Sequence, residues 1–207
     1  IHVPLIVKQE SNVGAGRRIS DVAQHIDLVP TLLDLVKAPI PGGLRGRSLK
    51  PLLDGTSHLP DRAVYSEAYY GKYHFAWSEL RSMTDGRHQY IRAPREELYD
   101  LERDPAERKN VVSEAAEARR VLRGALDALA KDGRLSGAEA VPLPDPKDKR
   151  EVLETYRKAV NLAGERKWAD AIALLRGIVR DDPELAEAWN QLALFAARID
   201  RFDLAAD

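Results

Sequence analysis

"EELYDLERDPAERKN", residues 96–110, decides how this chain is read. A short Leu-Tyr-Leu strand signal runs into a stop at Asp104-Pro105, and a charge cluster follows with no obvious catalytic group. The carboxylates Asp100, Glu102, Asp104 and Glu107 form an acidic run, but Pro105 and the missing turn glycine do not suit an EF-hand loop, so the run reads as a solvated face. The stretch therefore reads as the last strand of a sheet, its terminating turn, and the approach to a helix.

Working outward toward the N-terminus, "AVYSEAY" (63–69), "FAWSELRSMT" (75–84), "HQYIRA" (88–93) and "ELYDL" (97–101) are four aromatic or β-branched runs. Asp85-Gly86 is a hairpin signal between the second and third, which predicts a small antiparallel sheet. Further upstream, "VPLIV" (3–7) reads as a buried strand and "GAGRR" (14–18) as a flexible surface loop. That loop lacks the Lys-Ser/Thr and following helix of a phosphate cradle. "HIDLVPTLLDLVKAPIPGG" (25–43) reads as a helix capped by Asp27, with Leu28, Leu32, Leu35 and Val36 on one face and Pro39 as its stop. A second short helix is expected in "SLKPLLDG" (48–55).

Outward in the other direction, a helix is expected from about Val111 to Lys131, with Val121, Leu122, Ala125, Leu126 and Leu129 as its buried stripe. "DGRLSGAEAVPLPDPKDKR" (132–150) then reads as an exposed linker. Beyond it the chain is helical, with helices expected at about 149–163, 167–180 and 185–198. An offset of 34, the tetratricopeptide period, matches Ala159 with Ala193, Trp168 with Phe202 and Ala171 with Ala205, and Pro183 sits where the repeat would close. "AWNQLA" (188–193) fits the opening of a second repeat, the competing reading being an ordinary amphipathic helical hairpin.

Composition limits what these elements can do. Across 207 residues, 32 Lys plus Arg nearly balance 33 Asp plus Glu, so no general grip on nucleic acid or an anionic membrane is expected. The absence of cysteine removes disulfides, thiolate metal sites and a cysteine nucleophile from this stretch but leaves the compartment open. No apolar run approaches the roughly 20 residues a membrane helix needs. The chain opens at Ile1 inside a strand-like run, so it is expected to be a piece of something longer.

In order and spacing, "VPLIVK", "GRRISDVAQHIDLVPTLLDL", "PIPGGLRGRSLKPLLDG" and the run from Tyr65 to Val111 resemble the C-terminal part of the sulfatase family, within the alkaline phosphatase superfamily. The most specific elements are D-x-x-P-T-L-L-D-L (Asp27–Leu35), G-R-S-L (Gly46–Leu49), and R-S-M-T-D-G-R paired with E-L-Y-D-L-x-x-D-P-x-E. The implied fold is an α+β C-terminal part of an α/β sulfatase fold, a small antiparallel sheet with packed helices, followed by an all-α tetratricopeptide-type repeat. The expected divisions are 1–132 for the sulfatase-like part, with its terminal subdomain at about 63–131, then a linker at 133–147 and a truncated repeat region at 148–207. In this reading Tyr99 anchors the last strand, Asp104 and Pro105 form the turn, and Glu107 favours the start of the next helix.

The resemblance implies hydrolysis of sulfate esters by a formylglycine beside a divalent cation, usually calcium. The C/S-x-P-x-R motif that carries the formylglycine is absent, as is the acidic metal-binding segment, so neither a catalytic residue nor a metal ligand is assigned and this chain is expected to be inactive alone. His25 and Asp27 have no third ligand nearby, and a cap and a polar contact explain Asp27 better than a metal. In "EAYYGKYHFAWSELRS" (67–82), aromatic rings alternate with cations. Lys72, His74, Trp77 and Arg81 are its candidate substrate-binding residues, the rings to stack on a sugar and the cations to pair with sulfate, although alternate residues of a strand would also pack inward. The expected partners are a sulfate ester for the intact protein and a peptide or protein for the repeats. Two readings compete: a phosphoester or phosphonate hydrolase or phosphoethanolamine-type transferase of the same superfamily, and a non-catalytic interaction platform.

Overall fold

A computed structural model describes residues 3–131 and 143–200. The chain divides into two compact units, residues 1–64 and 65–207.

In the first unit, residues 3–9 form no strand, and Val3, Leu5, Ile6 and Val7 are all exposed. This corrects the buried strand expected at 3–7: an apolar run becomes a strand only where a neighbour supplies its ladder, and none of the described residues does so. Helix α1 (Leu28–Leu35) and helix α2 (Lys50–Asp54) form where expected. The packing of α1 is reversed from the prediction. Pro30 and Thr31 are its buried residues, whereas Leu28, Leu32, Leu35 and Val36 are exposed.

Asp27 explains that reversal. Its side chain makes no capping bond to α1. The carboxylate is fully buried and accepts the backbone N–H groups of Gln24 (2.8 Å) and Arg47 (3.0 Å) together with the Arg62 guanidinium. The Thr31 hydroxyl bonds the Asp27 carbonyl at 2.5 Å and accepts the Leu49 N–H at 2.9 Å, so the polar edge of α1 holds the 46–49 segment. The 14–18 loop is exposed, as a surface loop should be, and is tied to the first unit through Arg17. Gly14 and Gly16 adopt φ of +69° and +77°, and the turn they form carries the Arg17 guanidinium to the carbonyls of Leu52 and Leu53, both at 2.8 Å, at the end of α2. Both are among the last carbonyls of the helix, whose backbone partners run out at a C-terminus, although the Leu52 carbonyl also accepts the Gly55 N–H at 3.2 Å.

The second unit is built on a four-stranded sheet in the order β1-β2-β3-β4, with β1 Val64–Ala68, β2 Leu80–Thr84, β3 His88–Arg92 and β4 Glu97–Asp100. β2–β3 and β3–β4 are antiparallel, and Met83 faces Tyr90 while Tyr90 faces Leu98. These three form a buried row across the sheet, completed by Leu122 and Leu126 of α4 (Ala116–Lys131). The expected hairpin is present: Gly86 takes φ +95°, and Asp85 accepts the N–H groups of Arg87 and His88.

Three local expectations change. Within 75–84 only Leu80–Thr84 is strand, because helix α3 (Tyr70–Phe75) precedes it and closes at Ala76, φ +52°. Helix α4 begins at Ala116, not Val111, since the Val111 N–H is bound to the Leu98 carbonyl at 2.8 Å. Glu107, at φ +52°, lies in the preceding turn instead of at the helix start, and Val121 is half exposed.

Helices α5 (Arg150–Gly164), α6 (Trp168–Asp181) and α7 (Ala186–Arg198) pack in succession, with Ala159, Ala163, Ala171 and Ala188 buried in the core they share. Phe202 and Ala205, used in the 34-residue match, lie outside the described residues, as do residues 132–142 of the expected linker. Residues 143–147 are not a solvated tether. Asp145 is 5% exposed and accepts the Arg95 N–H at 3.1 Å, Ser78 donates its N–H to the Pro144 carbonyl at 2.9 Å, and Asp148 pairs with both Arg95 terminal nitrogens.

Candidate functional site

The segment from Tyr69 to Arg81 holds all four candidate binding residues, and α3 separates them. Because α3 is a helix, Lys72 and His74 diverge around it instead of alternating across a strand. Lys72 and Arg81 are brought together by Glu79, whose two carboxylate oxygens lie 3.3 Å from Lys72 Nζ and 3.0 Å from an Arg81 terminal nitrogen. Arg81 also donates to the Tyr69 hydroxyl at 3.1 Å, and both cations approach the Tyr69 ring, at 5.7 and 5.9 Å from its centroid. Glu79 went unnoticed in the sequence, although its i, i+2 spacing from Arg81 places both on one side of an extended segment.

His74 turns the other way. Its ring lies 4.5 Å from that of Tyr70, and its Nδ1 is 3.7 Å from a Glu187 carboxylate oxygen on α7. Trp77 is 2% exposed and stacked on Phe75 at 4.5 Å, inside the core shared with α5–α7. The exposed aromatic surface comes from Tyr70 and Tyr73, 52% and 76% exposed, with the Tyr73 ring stacked on Tyr69 at 5.5 Å. This cluster can present a flat ring to a ligand beside a cation whose charge Glu79 already engages.

The other polar clusters are structural in form. Asp21 accepts His58 and the Leu59 N–H, both at 2.9 Å, and those bonds hold its carboxyl below the usual range. His25 is exposed, while every Asp27 contact is to a donor of its own unit. Among the described residues, no group of three or more His, Asp or Glu is placed to hold a metal ion, and no helix is long and apolar enough to cross a membrane.

The second unit has the α+β form of a sulfatase terminal subdomain: a four-stranded antiparallel sheet backed by α4. Residues 1–132 match the family model described as N-sulphoglucosamine sulphohydrolase, C-terminal, and the chain belongs to that family. It is 29% identical over 125 residues to N-acetylglucosamine-6-O-sulfatase of Bacteroides thetaiotaomicron, covering 57% of this chain and 22% of that protein. It is 29% identical over 128 residues to arylsulfatase K of Xenopus laevis, covering 56% and 23%. Among solved structures, phosphonate monoester hydrolase of Agrobacterium radiobacter aligns with a TM-score of 0.44 and 26% identity over 60% of this chain and 28% of that one. The chain thus spans less than a quarter of the length of these curated relatives.

Proposed function

We propose that this chain is the C-terminal portion of a sulfuric ester hydrolase. The observation that carries the proposal is the family match over residues 1–132, with sulfatases among the relatives. The residues present do not suit the calcium ion or the formylglycine of such an enzyme, since the nucleophile motif is absent from the sequence and the described residues offer no metal-binding group. Both are assigned to a part of the intact protein outside this chain, and no chemical step is routed through them. This chain contributes a rim. Tyr73 offers its exposed ring to a sugar face, and Lys72, the more accessible of the two cations on Glu79, meets a sulfate oxygen in competition with that carboxylate. Arg81 orients Glu79 from below, His74 and Trp77 hold the rim to its support, and α5–α7 act as a tetratricopeptide-type surface for a peptide or protein.

The test uses the full-length protein with an aryl sulfate, a 6-O-sulfated glucosamine and an aryl phosphonate. Sulfate ester turnover should dominate. Tyr73→Ala and Lys72→Ala should each raise KM for the sulfated sugar about tenfold while changing the aryl sulfate little, since only the sugar reaches the rim. Dominant phosphonate turnover would overturn the sulfatase assignment, and turnover by the 207-residue chain alone would overturn the placing of the nucleophile and the cation outside this chain. An unchanged KM in both variants would overturn the rim.

A further inference from the structure

We propose that the helical tail is an intramolecular clamp on α3, with Tyr156 and Glu187 as the positioning residues that hold the rim in place. The rim residues Lys72 and Tyr73 lie on a helix of six residues, too short to persist by its own hydrogen bonds. Its anchors are Phe75 and Trp77. They are 3% and 2% exposed, yet they belong to the core of α5–α7 and not to the core beneath the sheet. The Tyr156 ring of α5 meets Phe75 edge-on at 5.1 Å and 88°. Its hydroxyl donates to Glu187 on α7 at 2.7 Å, the same Glu187 oxygen that accepts from Gln191 at 3.2 Å, while the other oxygen faces His74 at 3.7 Å. One carboxylate therefore joins α5, α7 and α3.

A second latch fixes the chain on the far side of Trp77. Ser78 donates to the Pro144 carbonyl, and the buried Asp145 ties the 143–149 segment to Arg95. Tyr156, Glu187 and Asp145 all lie outside residues 1–132, so the matched portion does not carry the support of its own rim. The consequence for substrate rests on the rim reading above, whereas the clamp stands on the contacts alone.

Amide hydrogen exchange on the 207-residue chain tests it. Ala76 and Trp77 donate their N–H groups to the carbonyls of Lys72 and Gly71, at 3.2 and 3.0 Å, so they report closure of α3. In Tyr156→Ala both should exchange at least roughly tenfold faster while the β2–β3 ladder is unchanged, as expected of a local opening. If Tyr156→Ala also loosens the ladder, Glu187→Ala decides on the same two amides, because Glu187 lies outside the tail's apolar core. Unchanged exchange at Ala76 and Trp77 in the deciding variant would overturn the clamp. If these amides open in the full-length protein while KM for a sulfated sugar stays constant, the clamp is supported and the rim assignment falls.

Discussion

Asp27 and Gly46 show what the two most specific motifs of the first unit require. Gly46 crosses the backbone so closely that an added Cβ would lie 1.7 Å from the Ile26 carbonyl oxygen. Gly46→Ala must therefore displace backbone, and we expect a loss of at least about 3 kcal/mol for this unit, measured as the local opening free energy at the Arg47 amide. Asp27→Ala should cost about 3–5 kcal/mol on the same measure, because it leaves the Arg62 guanidinium unpaired beside a buried site. Burial pushes the Asp27 carboxyl up, but the Arg62 guanidinium and the N–H groups of Arg47 and Gln24 outweigh it and hold the group below its usual range. A lowered folded value stabilises the protein above the ordinary aspartate pKa of about 3.9 and loses that contribution as pH falls through the folded value. Protection at Arg47 should hold at pH 5 and fall below about pH 4, and a constant value down to pH 2 would contradict the carboxylate's role.

At the scale of elements, the 96–110 stretch is the joint between sheet and helix. Leu98, fully buried, anchors it, and Tyr99 is only half buried. Burial raises the Tyr99 hydroxyl to about 12, aided by its bond to Glu97. Glu96 accepts the Tyr90 hydroxyl at 2.7 Å and two nitrogens of Arg119, at 2.9 and 2.5 Å, with Arg123 at 3.3 Å, so a single carboxylate ties β3 to α4. Burial pushes its pKa up, yet Tyr90 and the two arginines hold it below the usual glutamate range. Its stabilisation is therefore complete above about pH 4.3 and is lost as pH falls through the lower folded value. Glu96→Gln should remove most of that acid dependence and lower stability by about 1–3 kcal/mol in urea unfolding at pH 7. Asn110 closes the other side of β4: its Oδ1 accepts the N–H groups of Leu98 and Val112, both at 3.0 Å. Asn110→Ala should cost about 1–2 kcal/mol, because it leaves the Leu98 N–H beside a fully buried residue without a partner.

At the scale of the molecule, the two units differ in what they bury. The second has two closed apolar cores, whereas the first leaves Val3, Leu5, Ile6, Val7, Leu32 and Val36 exposed. Segments with few buried contacts open at low cost. Limited trypsin digestion of the 207-residue chain should therefore cut after the exposed Lys8 before it cuts after Arg92, which lies within β3 and is paired with Asp127. Equal protection of both sites would contradict this difference.

The sequence by itself determined the elements whose signals are local: the Asp85-Gly86 hairpin, the strands on either side of it, α4 and the three tail helices. It also carried the family, because its motifs mark a close backbone crossing at Gly46 and a buried carboxylate joint at Asp27, positions where few residue types fit. Only the tertiary structure decided where the candidate site residues point. The aromatic run 69–77 alternates well enough to suggest a strand, but Phe75 and Trp77 are drawn into the core of helices more than seventy residues further along the chain, and α3 forms to deliver them there. That contact splits Lys72 and Arg81, gathered on Glu79, from His74 and Trp77, which face the tail. Local periodicity reports which faces are apolar, and the choice of partner is made by burial against distant segments that no short window of sequence contains.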